Sequence, residues 1–88
     1  MLFKLEISDI DIIPDPKTNN KKCDSDRVFD IRGENANEKN CKKECAKNGN
    51  CVAFSGIWNN WCIGCKVKLS KNHDGAISYL KKGTLIFK

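Results

Sequence analysis

Histidine, tyrosine and methionine occur once each in this 88-residue chain, and proline only twice. No apolar run is longer than a few residues, so nothing approaches the roughly 20 apolar residues that a membrane-crossing helix needs. The lone histidine, His73, lies in a polar turn beside Asp74. No serine or cysteine nucleophile accompanies it with a base and an orienting group, so it reads as a surface histidine. There is no Gly-rich phosphate loop and no pair of carboxylates on a shared element. Catalysis therefore has no support in the sequence, and no cofactor is implied.

Acidic residues are scarce in the second half. Residues 39–88 hold 10 lysines against 2 acids, a balance of +8, whereas residues 1–38 hold 6 Lys/Arg against 9 acids, a balance of −3. The two sum to the net +5 of the chain. A basic half attracts acidic partners such as sulfated glycans, acidic proteins or nucleic acid. It is equally what a solvated lysine surface looks like. No Asn-x-Ser/Thr sequon occurs.

Large apolar side chains are also few, and they sit mainly at the two ends and between Cys51 and Leu69. One domain of this size is near the lower limit for a self-sufficient core. What the chain has in excess is cysteine, six in all. Three disulfides at roughly 2–4 kcal/mol each would supply much of its stability and imply an oxidising compartment. The opening MLFKLEISDIDII lacks a basic start followed by an apolar stretch and does not read as a signal peptide. A removed leader, an excised domain and oxidation by another route all fit.

Alternation of apolar residues from Leu2 to Ile13, with a slip of phase near Ser8-Asp9, predicts a bulged strand ended by Pro14-Asp15-Pro16. Lys17 to Lys22 reads as a turn, and Arg27 to Arg32 as a strand closed by Gly33. ENANEKNCKKECAKNGN is the one good helix, with Asn35 as cap, Glu38 completing a capping box, and Asn48-Gly49 as a left-handed stop. It contains no Leu, Ile or Phe, so Cys41 and Cys45, four apart on one face, are its anchors. Cys51 to Ser55 is a strand, Gly56 to Asn60 a loop, Trp61 to Leu69 a strand and Ser70 to Gly75 a turn. Ala76 to Leu80 is a last full strand, and Lys82-Gly83 folds Thr84 to Phe87 back on it as a hairpin. Strands, one helix, then strands describe an α+β domain with a mostly antiparallel sheet.

WCIGC, residues 61–65, has the look of a redox motif. A redox site needs its first cysteine at a helix N-terminus, and the stretch KVKLSKNHDG after Cys65 lacks helical periodicity. A zinc site built from Cys41, Cys45, Cys62 and Cys65 would make the chain a nucleic-acid-binding module. That choice leaves Cys23 and Cys51 without a role.

The run C-KKE-C-AKNGN-C-VAF-SGIWNNW-C, from Cys41 to Cys62, resembles the core of the PAN/Apple family over about residues 23–82. In that family a helix carries Cys-x3-Cys and a strand begins Cys-x-x-Phe, here Cys51 and Phe54. The resemblance implies the nested bridges Cys45–Cys51 and Cys41–Cys62. It leaves Cys23 and Cys65 as a third pair, a departure, because Cys65 precedes the last strand instead of lying in it. It further implies one PAN/Apple-like domain over residues 1–88, with the strand 2–13 as an extension, and no enzymatic activity. The function it implies is recognition of a protein or carbohydrate on an extracellular or particle surface. A structural decoration of a coat or virion, docked through the N-terminal strand, is an alternative.

The segment Ser55 to Lys68 is the candidate binding loop. It combines Trp58, Asn59 and Asn60 with the cations Lys66 and Lys68, a set suited to a sugar bearing sulfate or carboxylate, or to an acidic protein patch. Trp61 beside Cys62 belongs to the core, while Trp58 either packs beneath the loop or faces solvent.

Overall fold

The computed structural model describes residues 5–6, 11–82 and 86–87. It is a disulfide-stapled α+β domain. Five antiparallel strands form the central sheet in the order β2 (Asp11–Pro14), β8 (Ile77–Lys82), β5 (Ala53–Ile57), β6 (Trp61–Cys65) and β4 (Arg27–Arg32). One helix, α1 (Glu38–Lys47), covers one face. On the other face lies a two-stranded ribbon of β3 (Lys21–Lys22) and β7 (Lys71–Asn72). A second ribbon pairs β1 (Leu5–Glu6) with β9 (Ile86–Phe87).

The sheet is buried on both sides, and this explains the burial of every residue of WCIGC. Successive side chains of a strand point to opposite faces. Trp61, Ile63 and Cys65 accordingly enter a core with Cys23, Ala53, Leu69 and Ala76. Cys62 enters the other core, with Phe54, Tyr79 and the helical Cys41 and Cys45. Three bridges tie the layers: Cys41–Cys62, Cys45–Cys51 and Cys23–Cys65, with Cα separations of 6.5, 5.2 and 6.2 Å. These are the pairs named from the resemblance and its remainder. No described cysteine is free, so neither a redox pair at Cys62/Cys65 nor a four-thiolate zinc site forms. The three bridges accord with an oxidising, extracellular-type environment. Among the described residues no helix is long and apolar enough to cross a membrane.

One cross-strand row gives the helix-side core its shape. Pro14, Tyr79, Phe54, Gly64 and Phe29 lie side by side on β2, β8, β5, β6 and β4. Tyr79 stacks on Phe54 with ring centroids 4.7 Å apart. Phe29 lies across the backbone of Gly64, where an added Cβ would fall inside the Phe29 ring. Glycine here serves close packing in a strand. Gly56 does the same: a Cβ there would lie 2.6 Å from the Trp61 carbonyl oxygen and 2.8 Å from Cys62 Cβ.

Several local expectations change. Gly56 and Ile57 belong to β5, so the loop shrinks to Trp58–Asn60. β6 ends at Cys65, well short of Leu69, where the Lys66 N–H turns away to donate to the Asp26 carbonyl. The expected turns at 17–22 and 70–75 contain the two short strands β3 and β7. β9 pairs with β1 and forms no hairpin with β8; the Ser8-Asp9 bulge and the turn at Gly83 lie outside the described residues.

The helix ends differ as well. Gly33, at φ +76°, starts a 3-10 turn through Asn35, and the helix begins three residues later, at Glu38. Its cap is Asn37, whose side chain accepts from the Asn40 N–H at 2.8 Å. At the other end Asn48 is extended, and neither it nor Gly49 is left-handed. The Lys81 ammonium closes that end, donating to the Cys45 and Asn48 carbonyls at 2.9 and 2.8 Å. A cation there both satisfies terminal carbonyls and opposes the negative end of the helix dipole.

Candidate functional site

The β5–β6 turn, Trp58 to Asn60, is held rigidly for so short a connection. Asn59 adopts φ +69°, a conformation asparagine tolerates better than most residues. Its N–H donates to the Ala36 carbonyl at 2.9 Å, and the Asn60 carbonyl accepts from the Gly33 N–H at 2.9 Å. The turn is thereby fastened to the segment that leads into α1. Two residues beyond the turn, Cys62 is bonded to Cys41 of the helix.

Trp58 is half-buried. Its ring leans at 45° against Tyr79, with centroids 6.1 Å apart, and packs at the margin of the helix-side core. Both readings of Trp58 are therefore partly realised, one side of the residue packed and the rest reaching solvent. Lys42 stands 5.2 Å from the Tyr79 ring centroid, and its ammonium bonds Glu38 Oε1 at 2.8 Å. That bond and the Lys42 charge hold the Glu38 carboxyl below its ordinary range. Burial, followed by the charge of Glu38, pushes the Tyr79 phenol up.

The cations expected beside Trp58 are not there. Lys66 and Lys68 follow the far end of β6, and the four residue steps from Trp61 to Cys65 alone span roughly 14 Å. Lys66 instead faces Asp26, at 4.0 Å. Among the described residues, the cation that approaches this aromatic pair is Lys42, from the helix, on the ring of Tyr79, and the turn itself contributes amides. The side chains of Asn59 and Asn60 are exposed, as is that of Asn35 next to Ala36, and none makes a side-chain hydrogen bond to another described residue. Lys42 was legible in the sequence only as one helical lysine among four. Its position over Tyr79 depends on how α1 lies on the sheet.

His73 is not a plain surface residue. It is half-buried, with its ring edge-on to Trp61 at 4.8 Å. Lys22 approaches the same indole, 5.8 Å from its centroid. These contacts give His73 a packing role on the face opposite α1. Among the described residues no cluster of His, Cys, Asp or Glu has the makings of a metal site.

The N-terminal strand, expected as a docking edge, is divided between two pairings. β1 is occupied by β9, while β2 is an edge of the main sheet. That edge offers four residues, the last of them Pro14, which has no N–H to donate. The opposite edge, β4, is bulged near Arg27 and carries Asp30, which accepts from Arg32 Nε at 2.6 Å. Charge and irregularity of this kind discourage strand addition.

Compared with known proteins, the chain matches no family model, no curated protein and no solved structure.

Proposed function

We propose that this domain is a non-catalytic binding module of PAN/Apple type, and that it recognises carbohydrate through the β5–β6 turn. The observation that carries the reading is the half-buried Trp58, fixed against Tyr79 in a turn whose next two residues, Asn59 and Asn60, expose amides that bond no other described side chain or backbone group. An aromatic face supplies desolvated contact for a sugar ring, and amides both donate to and accept from hydroxyls. Because the turn is already ordered by backbone bonds and the Cys41–Cys62 bridge, little conformational freedom is lost on binding. With Lys66 and Lys68 at the far end of β6, the amide-rich surroundings favour a neutral sugar over an anionic one. The Cys41–Cys62 and Cys45–Cys51 bridges support the PAN/Apple reading, and Cys23–Cys65 is its departure. The packing of His73 on Trp61 supports a non-catalytic role.

Screening the oxidised domain against neutral and anionic glycans tests this. Trp58→Ala and Asn60→Ala are expected to remove binding of a neutral glycan, and Asn60→Ala to leave the melting temperature unchanged. If both variants bind as the parent does, the turn is scaffold and the site lies elsewhere.

A further inference from the structure

Lys39, Lys43 and Lys47 occupy successive fourth positions of α1, and all three are exposed. At about 1.5 Å of rise per residue they form a line with steps of about 6 Å. Each lies two residues from a cysteine position or its equivalent, about 200° around the helix, so the line runs opposite the disulfide face. The two acids of the helix are already engaged, Glu38 with Lys42 at 2.8 Å and Glu44 with Lys47 at 2.9 Å. Lys39 has Asn35, Ala36, Lys42 and Lys43 as its neighbours three and four residues away. Lys43 has Lys39, Asn40, Ala46 and Lys47. Neither set contains a carboxylate, and neither lysine has an ion-pair partner among the described residues.

Like charges four residues apart oppose helix formation. This helix tolerates them because its place is held by two disulfides and not by apolar packing. We propose that the ridge Lys39–Lys43–Lys47 is a docking surface for a linear sulfated polysaccharide. The unpaired Lys39 and Lys43, continued by Lys47, whose charge is shared with Glu44, span about 12 Å and match a chain of fixed anions better than a single phosphate or sulfate. The helix has no aromatic residue from Glu38 to Lys47, so it lacks the stacking platform by which single-stranded nucleic acid is held. The three disulfides accord with an oxidising, extracellular-type setting, and a sulfated glycan is a linear polyanion suited to that setting. The ridge faces away from the sheet on which Trp58 packs, so this proposal stands apart from the one for the β5–β6 turn.

The test is calorimetric titration of the full chain, disulfides intact, with a heparin-derived octasaccharide and with its desulfated counterpart. The sulfated chain is expected to bind, more weakly as salt rises, and the desulfated chain not to bind. The double variant Lys39→Gln/Lys43→Gln is expected to lose affinity about tenfold, with a melting temperature equal to or above the parent's. Lys39→Arg/Lys43→Arg keeps binding. Lys66→Gln/Lys68→Gln, with the same change of charge, and Trp58→Ala both stay within about twofold of the parent. The proposal is overturned by absence of binding at low salt, or by equal losses in the two glutamine pairs. Tighter binding of a thymidine octanucleotide than of the sulfated octasaccharide would also overturn it, in favour of nucleic acid.

Discussion

Cys62 and Cys65, three residues apart in β6, point to opposite faces of the sheet and are bonded to different layers. Cys62 holds α1 through Cys41, and Cys65 holds the opposite cover through Cys23. An odd spacing in an extended strand makes this unavoidable, because side chains alternate. One short strand is thus the point where all three layers are joined.

Removal of the bridges is expected to cost stability in the order of the loops they close. The sequence separations are 42 for Cys23–Cys65, 21 for Cys41–Cys62 and 6 for Cys45–Cys51. Loop-closure entropy then gives about 4, 3.4 and 2.4 kcal/mol. Urea unfolding of the three paired Cys→Ala variants measures the ranking. A larger loss at Cys45/Cys51 than at Cys23/Cys65 would contradict the loop-closure account.

Gly64→Ala places a methyl group inside the Phe29 ring. Overpacking of this kind costs about 1–3 kcal/mol, and Phe29→Leu in the same chain should recover part of it. Thermal unfolding of the two single variants and the double variant gives the coupling. Simple additivity would show that Phe29 moves aside freely.

Lys81→Met removes a cation that bonds two carbonyls at the end of α1. Hydrogen bonds from a charged donor contribute roughly 1.5–3 kcal/mol, and a loss near that range is expected. Lys82→Met, at an exposed neighbour, should stay within about 0.5 kcal/mol of the parent. Amide exchange at Lys47 and Asn48 reports whether the last helical turn frays in the Lys81 variant. Equal effects of the two substitutions would remove Lys81 from this role.

Tyr79, the only tyrosine, gives a pH signature free of overlap. Burial, then the charge of Glu38, raises its phenol above the ordinary 10.0. Above pH 10 the folded chain therefore keeps a proton that the unfolded chain releases, so stability is full below that pH and falls as pH rises beyond it. Absorbance titration of the phenolate should show a midpoint above that of free tyrosine, moving down in Glu38→Gln. A midpoint at or below the free value would place the ring in water.

The sequence by itself determined the fold class, the strand Arg27–Arg32 to the residue, the single helix and its dependence on Cys41 and Cys45. Each of these rests on local periodicity or on a plain shortage of large apolar side chains. Its misreadings were equally local. Gly56 looks like a loop residue, but the nearness of Cys62 and the Trp61 carbonyl requires glycine inside β5. Asn48-Gly49 looks like a left-handed stop, but Lys81, 33 residues further on, supplies the closing bonds. Trp58 and Lys66 are close in sequence yet lie at opposite ends of β6, because an extended strand carries its ends apart. Lys42 reaches Tyr79 only because the bridges to Cys51 and Cys62 lay α1 across the sheet. Local signals act over a few residues, whereas the composition of the candidate site was decided by contacts between elements far apart in the chain.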